Sequence, residues 1–186
     1  MANRARTRWA SVCRVTAIIG IATFLVIYAA FLFGIRINRT NSLPAGLYLT
    51  VDKTPEKGDL VAFWPRDTAV MREARRRGYI LGGAYNIVDG KGYGLLLKRL
   101  MAVPGDRVSI TDAGVEINGL LVPNTQPLNA DSVGNHLPHL RFTDYLLRDD
   151  EVLLLSDHLP RSFDGRYFGI QERRQIVEVV QPLLTW

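Results

Sequence analysis

One apolar run near the N-terminus constrains this chain more than any other feature. From Val15 to Ile35 the sequence contains no charged residue over twenty-one positions, VTAIIGIATFLVIYAAFLFGI. Because a helix rises about 1.5 Å per residue, such a run can cross a hydrocarbon core of about 30 Å. A cleaved signal peptide would have a shorter apolar stretch ending in small residues. The sequence therefore predicts a transmembrane helix over residues 15–35, with the lipid bilayer as a partner.

Basic residues on the two sides of this run predict its orientation. The positive-inside rule keeps the more basic flank in the cytoplasm, so we expect residues 1–14 to be cytoplasmic. Residues 36–186 then form one domain outside the cytoplasm, on the periplasmic side of a bacterial inner membrane. Arg36 and Arg39 on that side weaken the asymmetry without reversing it. The arginines that precede the run are Arg4, Arg6, Arg8 and Arg14.

The charge balance and the cysteine count argue against a nucleic-acid-binding protein and against a disulfide-stabilised outer domain. That domain contains nineteen basic and eighteen acidic residues, a balance that does not favour a phosphate-binding surface, so no nucleic-acid partner is expected. Cys13 is the single cysteine and lies on the cytoplasmic side. Since no intrachain disulfide can form, the outer domain depends on its own hydrophobic core.

Strand-like segments predict a mainly β outer domain. They are rich in β-branched and aliphatic residues and are separated by turn residues. The predicted strands are LYLTV (47–51), DLVAFW (59–64), LLLKRLMAV (95–103), a meander of RVSIT, GVEIN and LLVP (107–123), EVLLLSD (151–157), RYFGI (166–170) and IVEVVQPLL (176–184).

Three further segments interrupt this pattern. Residues 67–77 predict a short basic helix with Asp67 or Thr68 as its N-cap. Residues 82–94 predict a glycine-rich loop, whose glycines are too dispersed for a phosphate loop, so no nucleotide cofactor is assigned. Residues 123–139 predict an exposed loop.

Two short stretches raise the question of chemistry. Ser42 lies in NSLPAGLY, where serine, proline and glycine are also ordinary turn residues. If the strand around Lys98 alternates, its side chain points to the same apolar face as Leu96 and Leu100. Such a lysine either extends its ammonium group to water or is desolvated, which lowers its pKa. A neutral lysine beside a serine hydroxyl can act as a general base.

A third stretch, SDHLPRSFDGRYFG (156–169), places several polar residues in a loop between two predicted strands. Asp164 and Arg166 can form an ion pair that fixes a turn. The same pair can position Ser162 against Lys98, and the two roles are compatible.

Together the three stretches resemble the signal peptidase I family of membrane-anchored Ser/Lys proteases, and within it the TraF type of conjugative transfer systems. NSLPAGLY is similar to the nucleophile box S-L-P-x-G-L-Y, and KRLMAVPGD (98–106) to the general-base box K-R-hydrophobic-P-G-D. The third stretch is similar to G-D-N-x-x-x-S-x-D-S-R-x-x-G. It departs from that box at Ser156, His158 and Gly165, which replace glycine, asparagine and serine.

The resemblance implies a signal-peptidase-like coiled β-sheet domain that needs no cofactor and no metal. It implies Ser42 as the nucleophile, Lys98 as the general base and Asp164 as a third catalytic residue. The predicted supporting residues are Ser162, which orients the lysine, Arg166, and Thr40, whose hydroxyl stabilises the oxyanion.

The same resemblance implies a serine endopeptidase that processes a membrane-bound pilin precursor or another exported protein. Six residues separate Ile35 from Ser42, which limits their extended reach to about 20 Å and favours a membrane-bound substrate. Water or a bound amine could resolve the acyl-enzyme, so hydrolysis and transpeptidation both stay open. The alternatives are a general signal peptidase I and a non-catalytic anchored scaffold of a secretion complex.

Other catalytic sets are less consistent with the sequence. A Ser42/His158/Asp157 triad requires adjacent residues of an extended strand to cooperate, although their side chains point to opposite faces. A metal site formed by His136, His139 and His158 has no recognisable ligand spacing.

Overall fold

The computed structural model describes residues 2–40, 42–80 and 92–186, and the chain divides into two compact units at Arg36. The first unit is formed by helix α1 (Ala2–Leu32). Its segment Val12–Leu32 is long and apolar enough to cross a membrane. The helix ends three residues before the end of the predicted span of residues 15–35, because Gly34 adopts a positive φ of 81° and Ile35 starts a strand. A glycine in this conformation is a common helix terminator.

The second unit is mainly β, as predicted. Its described strands form a seven-stranded sheet in the order β1-β2-β11-β3-β4-β9-β10 and a four-stranded sheet in the order β7-β6-β5-β8. The strands are β1 (Ile35–Asn38), β2 (Gly46–Val51), β3 (Leu60–Phe63), β4 (Leu96–Ala102), β5 (Arg107–Thr111), β6 (Gly114–Ile117), β7 (Leu120–Leu121), β8 (Phe142–Leu146), β9 (Glu151–Leu155), β10 (Gln171–Glu172) and β11 (Ile176–Thr185).

Strand β9 is buried on both faces and joins two parts of the core. Its residues Leu153 and Leu155 pack with Val108 and Ile110 of the smaller sheet. On its other face, Leu154 joins a cluster formed by residues of the larger sheet. Burial on both faces accounts for the unbroken apolar run of this strand. Strand β4, which carries Lys98, pairs with β9 and is held firmly by this core.

The predicted basic helix is confirmed as α2 (Ala69–Arg76). The Thr68 hydroxyl caps it by accepting a hydrogen bond of 3.2 Å from the amide of Met71, and the apolar face buries Met71 and Ala74. Most of the predicted glycine-rich loop over 82–94 lies outside the described residues.

The structure corrects the strand predicted over residues 166–170. Residues Gly165–Phe168 instead form a short helix, α3, because the Asp164 carboxylate caps it by accepting a hydrogen bond from the amide of Arg166. Gly165 also packs closely against β9. A Cβ atom there would lie 2.8 Å from the carbonyl oxygen of Leu154, so only glycine fits this approach. A 3-10 turn over Arg173–Gln175 then leads into β11.

Candidate active site

A single buried asparagine shapes the turn that carries Ser42. The Asn38 Nδ2 atom donates hydrogen bonds to the carbonyls of Leu43 and Pro44, each at 3.1 Å. Its Oδ1 atom accepts from the amide of Thr40 at 3.1 Å and from the Thr40 hydroxyl at 2.8 Å. Asn38 therefore fixes the backbone on both sides of Ser42. The sequence patterns did not identify this residue, although a polar side chain within a strand two positions before Thr40 was an available signal.

Gly46 and Tyr48, at the end of the NSLPAGLY stretch, also stabilise the turn that carries Ser42. The Tyr48 hydroxyl donates a hydrogen bond of 2.7 Å to the carbonyl of Pro44, and Tyr48 is fully buried. At Gly46 a Cβ atom would lie 2.1 Å from the carbonyl oxygen of Leu184 in β11. The glycine and the aromatic residue of this stretch thus have packing roles, and Ser42 is left half-buried at the surface of the turn.

Lys98 lies on the buried face of β4, as its alternation predicted, with a side chain that is 3% exposed. Its Nζ atom donates a hydrogen bond of 2.8 Å to the Oγ atom of Ser162. Burial lowers the pKa of Lys98 to about 8, the charge of Asp164 opposes this shift, and the charge of Arg166 adds to it. The lysine is therefore desolvated and does not extend to water.

Ser162 connects this lysine with Ser42. Its Oγ atom lies 3.1 Å from the Oγ atom of Ser42, and its side chain is buried. With a protonated lysine, hydrogen bonds run from Lys98 to Ser162 and from Ser162 to Ser42. Since a hydroxyl can both donate and accept, the direction can reverse when the lysine is neutral. The arrangement can therefore carry a proton from Ser42 to Lys98.

Asp164 and Arg166 form a fully buried ion pair beneath this series. Two hydrogen bonds join their side chains, at 2.8 and 2.9 Å, and each side chain is 0% exposed. Arg166 also donates to the carbonyls of Pro160 at 2.6 Å and Ser162 at 3.0 Å. The pair thus holds the loop that carries Ser162. Among the described contacts, Asp164 affects Lys98 by its charge and by supporting the loop of Ser162. Asp164 therefore acts as a positioning residue.

Ser156 adds a contact that the sequence patterns did not predict. This residue is buried, and its hydroxyl donates a short hydrogen bond to the backbone carbonyl of Ser42. Its amide donates to the Asp164 carboxylate at 2.9 Å. The only signal in the sequence was that Ser156 replaces a glycine of the family box.

The predicted oxyanion donor, Thr40, lines the same two cavities of the outer domain as Ser42. Its hydroxyl donates to Asn38 in this structure, so stabilisation of an oxyanion would require this hydroxyl to rotate. That role stays a prediction.

The alternative catalytic sets are not assembled. Asp157 accepts a hydrogen bond of 2.6 Å from Arg99, and the adjacent His158 is exposed. Within residues 2–40, 42–80 and 92–186, no group of three His, Cys, Asp or Glu side chains is placed to hold a metal ion.

Ser42 lies where two cavities of the outer domain meet. The Asp131 cavity has a volume of about 430 Å³ and includes Arg161 and Ser162. The Leu97 cavity has a volume of about 450 Å³ and includes Lys98 and residues 94–97. Both are lined by Thr40, Ser42, Tyr79 and Phe163. The hydroxyl of Ser42 can therefore meet a chain that enters from either side.

A half-buried serine joined to a desolvated lysine, at the junction of two cavities, is the arrangement expected of a serine peptidase that uses a lysine base. The family model described as signal peptidase, peptidase S26, matches residues 6–185. The chain belongs to this family, which confirms the resemblance inferred from the three sequence boxes.

Relatives connect the chain with conjugation proteins. The plasmid transfer protein TraF of Escherichia coli is 44% identical over 180 residues, which cover 97% of this chain and 99% of that protein. The probable conjugal transfer protein TraF of Sinorhizobium fredii is 35% identical and covers 91% of this chain and 89% of its own. A crystal structure of a signal peptidase I from Enterococcus faecalis overlaps with 69% of this chain and 98% of its own, at a TM-score of 0.38 and 22% identity.

Proposed function

We propose that this protein is a membrane-anchored serine endopeptidase of a conjugative transfer system, with Ser42 as nucleophile and Lys98 as general base. Its substrate is a pilin precursor or another exported protein. The observation that carries the proposal is the series of hydrogen bonds from the Lys98 Nζ atom through the Ser162 Oγ atom to the Ser42 Oγ atom. The names of the relatives, which are plasmid and conjugal transfer proteins, support the assignment to conjugation.

Acylation begins with neutral Lys98. The proton of Ser42 passes to Ser162 as the proton of Ser162 passes to Lys98, and the Ser42 Oγ atom bonds to the substrate carbonyl carbon. The amide of Ser42 and the Thr40 hydroxyl stabilise the resulting oxyanion, and loss of one such donor typically costs about 10²–10³ in rate. The ammonium group of Lys98 then protonates the leaving amine, and the C–N bond breaks.

Deacylation uses the same groups in turn. Lys98, neutral again, accepts a proton from water as the water oxygen attacks the ester carbonyl. The ester bond breaks and Ser42 regains its proton. An amine held in place of water would form a new peptide bond instead, so one acyl-enzyme serves both hydrolysis and transpeptidation.

The edge of strand β4 suits an extended substrate. Strand β4 pairs with β3 from Leu96 to Arg99, whereas its pairing with β9 begins only at Arg99. Among the described strands, none covers the other edge of β4 before Arg99, and this edge lines the Leu97 cavity beside Ser42. An extended peptide can add to such an edge as a further strand. We infer that the acyl part of the substrate lies there, with its carbonyl group at Ser42.

Helix α1 anchors the enzyme in the inner membrane, and the outer domain works on the periplasmic side. The basic flank before the apolar segment supports this orientation. Protease added to spheroplasts should digest the outer domain. Protection of that domain, with loss of the N-terminal flank, would reverse the orientation.

A serine-directed acylating probe tests the catalytic part of the proposal. Full-length protein in membranes should be labelled at Ser42, as located by mass spectrometry of its peptides. Ser42→Ala should abolish the label, and Lys98→Ala should strongly reduce it. Absence of label on folded wild-type protein would favour the anchored scaffold.

Co-expression with the pilin precursor of the same transfer system tests the substrate. We expect precursor cleavage that depends on Ser42, while a general secreted precursor keeps its signal peptide. A product lighter by one water than the hydrolysed form would indicate transpeptidation onto an amine of the same chain. Cleavage of the general precursor alone would instead make the protein a general signal peptidase I.

A further inference from the structure

The Asp131 cavity adjoins the Leu97 cavity, which the edge of β4 lines before Arg99, and both cavities include Ser42. Thr40, Ser42, Tyr79 and Phe163 line both cavities, and the remaining lining residues of the two cavities differ. If the acyl part of the substrate occupies the Leu97 cavity, as the proposed function holds, the residues after the scissile bond enter the Asp131 cavity. A volume of about 430 Å³ suits a short peptide segment better than a folded domain.

Two charged side chains line this cavity, and one is already saturated with hydrogen bonds. The Asp131 carboxylate accepts from the amides of Val133 at 2.9 Å and Asn135 at 2.8 Å, and from the Asn135 side chain at 2.8 Å. It also accepts a short hydrogen bond from the Tyr79 hydroxyl. These contacts, the Tyr79 hydrogen bond first, lower the pKa of Asp131 well below its usual range. Asp131 thus serves the fold of the loop and has little capacity left for a ligand.

The other charged side chain is Arg161, whose donors are available as far as the described residues show. The backbone on both sides of Arg161 is held in place, because Arg166 donates hydrogen bonds to the carbonyls of Pro160 and Ser162. The backbone position of Arg161 is therefore fixed. Its side chain lines the cavity, and among the hydrogen bonds and ion pairs of the described residues it has no partner. An arginine whose backbone is held in place and whose guanidinium donors are available can bind a carboxylate in a bidentate manner.

We propose that Arg161 forms a carboxylate subsite for the substrate segment that follows the scissile bond. The carboxylate is either the C-terminus of a short leaving peptide or an acidic side chain within it. The place of this subsite in the reaction rests on the proposed function. The subsite adds specificity, because it determines which leaving segments or acceptor amines the enzyme holds next to Ser42.

Binding of small peptides tests the subsite without cleavage. The probes are Ala-Ala-Ala with a free carboxylate, the same peptide as its amide, and Ala-Glu-Ala amide. They are titrated by ligand-observed NMR against full-length Ser42→Ala protein in detergent micelles. If the chain terminus is recognised, Ala-Ala-Ala should bind about fivefold more tightly than its amide, the range of an exposed ion pair. If an acidic side chain is recognised, Ala-Glu-Ala amide should show the preference.

Variants of two arginines give the matched comparison. Arg161→Gln in the Ser42→Ala background should remove the preference and leave binding of Ala-Ala-Ala amide unchanged, and Arg161→Lys should restore part of it. Arg148→Gln removes one positive charge in the same way, but at a position before β9, whereas Arg161 lies after that strand. This control variant should keep the full preference. Equal binding of all three peptides, or a preference that survives Arg161→Gln, would overturn the subsite. The acylating probe at Ser42 reports separately on the proposed function, so the two failures are distinguishable.

Discussion

The hydroxyl of Ser156 donates a hydrogen bond to the backbone carbonyl of Ser42, although 114 positions separate them in the sequence. The amide of Ser156 is bound in turn by the buried carboxylate of Asp164. Ser156 therefore links the turn that carries Ser42 with the ion pair that supports the loop of Ser162. A residue that departs from the family box thus helps to hold the turn that carries Ser42.

Replacing Ser156 by glycine, the residue of the family box, tests this link. We expect kcat to fall about tenfold with KM nearly unchanged, because one buried hydrogen bond of about 1–2 kcal/mol no longer positions Ser42. Cleavage kinetics on the pilin precursor measure both constants. Ser109→Ala is the control, since that hydroxyl also bonds a backbone group, by accepting a hydrogen bond from the amide of Asp144 in the smaller sheet. A kcat equal to that of the wild type would show that the Ser156 hydroxyl is dispensable.

Ser162 gives a second prediction, about the route of the proton. If the proton of Ser42 reaches Lys98 through Ser162, Ser162→Ala should lower kcat/KM by about 10², the lower range for general acid–base catalysis. Ser162→Thr keeps the hydroxyl and should retain much of the activity. Activity of Ser162→Ala within about threefold of wild type would mean that Ser42 transfers its proton directly to Lys98.

Much of the site was predictable because its signals are local. Alternation along β4 is enough to assign Lys98 to the buried face, and the order of the three boxes predicted the family. The buried face could be inferred since the side-chain period of a strand is two residues and the neighbouring leucines mark the core. The capped helix α2 followed from the same kind of local signal.

The remaining features depend on contacts between distant segments. RYFGI has the composition of a strand, yet the approach of Gly165 to Leu154 of β9 and the cap from Asp164 turn its first residues into α3. The contact between Ser156 and Ser42 likewise forms only when the fold brings the end of β9 next to the turn that carries Ser42. Such contacts leave no periodic pattern in the sequence, so pattern alone could not predict them.

The pKa of Lys98 leads to a prediction for the pH dependence of cleavage. Since burial lowers this pKa to about 8, only the minority of lysine that is neutral at pH 7 can accept the serine proton. We expect kcat/KM to rise with pH through an apparent pKa near 8 and to be low in acid. Initial rates on the pilin precursor between pH 5 and about pH 10 measure this profile.

Two variants assign that ionisation to Lys98. Lys98→Arg should be inactive throughout the range, because a guanidinium group stays charged. Lys98→Cys alkylated to carry an aminoethyl group restores an amine at nearly the same reach and should recover cleavage with a shifted profile. An unshifted profile in the recovered enzyme would place the titrating group elsewhere.

The same buried lysine should reduce the stability of the fold. Its pKa is about 8 in the folded chain and 10.5 in its ordinary state, so between these values the unfolded chain binds more protons. Stability from this residue therefore rises as pH increases from about 8 to 10.5, and its full cost is present below pH 8. Lys98→Met, which keeps a flexible side chain of similar length, should remove that cost.

We therefore expect Lys98→Met to be inactive and yet more stable than the wild type by about 1–3 kcal/mol at pH 7, the upper value corresponding to the whole pKa shift. The gain should shrink as pH rises through the window between about 8 and 10.5, where the wild-type lysine loses its charge. Equilibrium unfolding of full-length protein in detergent micelles at several pH values measures both effects. Lys57→Met, at a partly exposed lysine paired with Asp106, is the control and should show no such gain. A loss of stability in Lys98→Met at pH 7 would mean that the ammonium group is favourably solvated or paired in the fold, which would contradict a desolvated base.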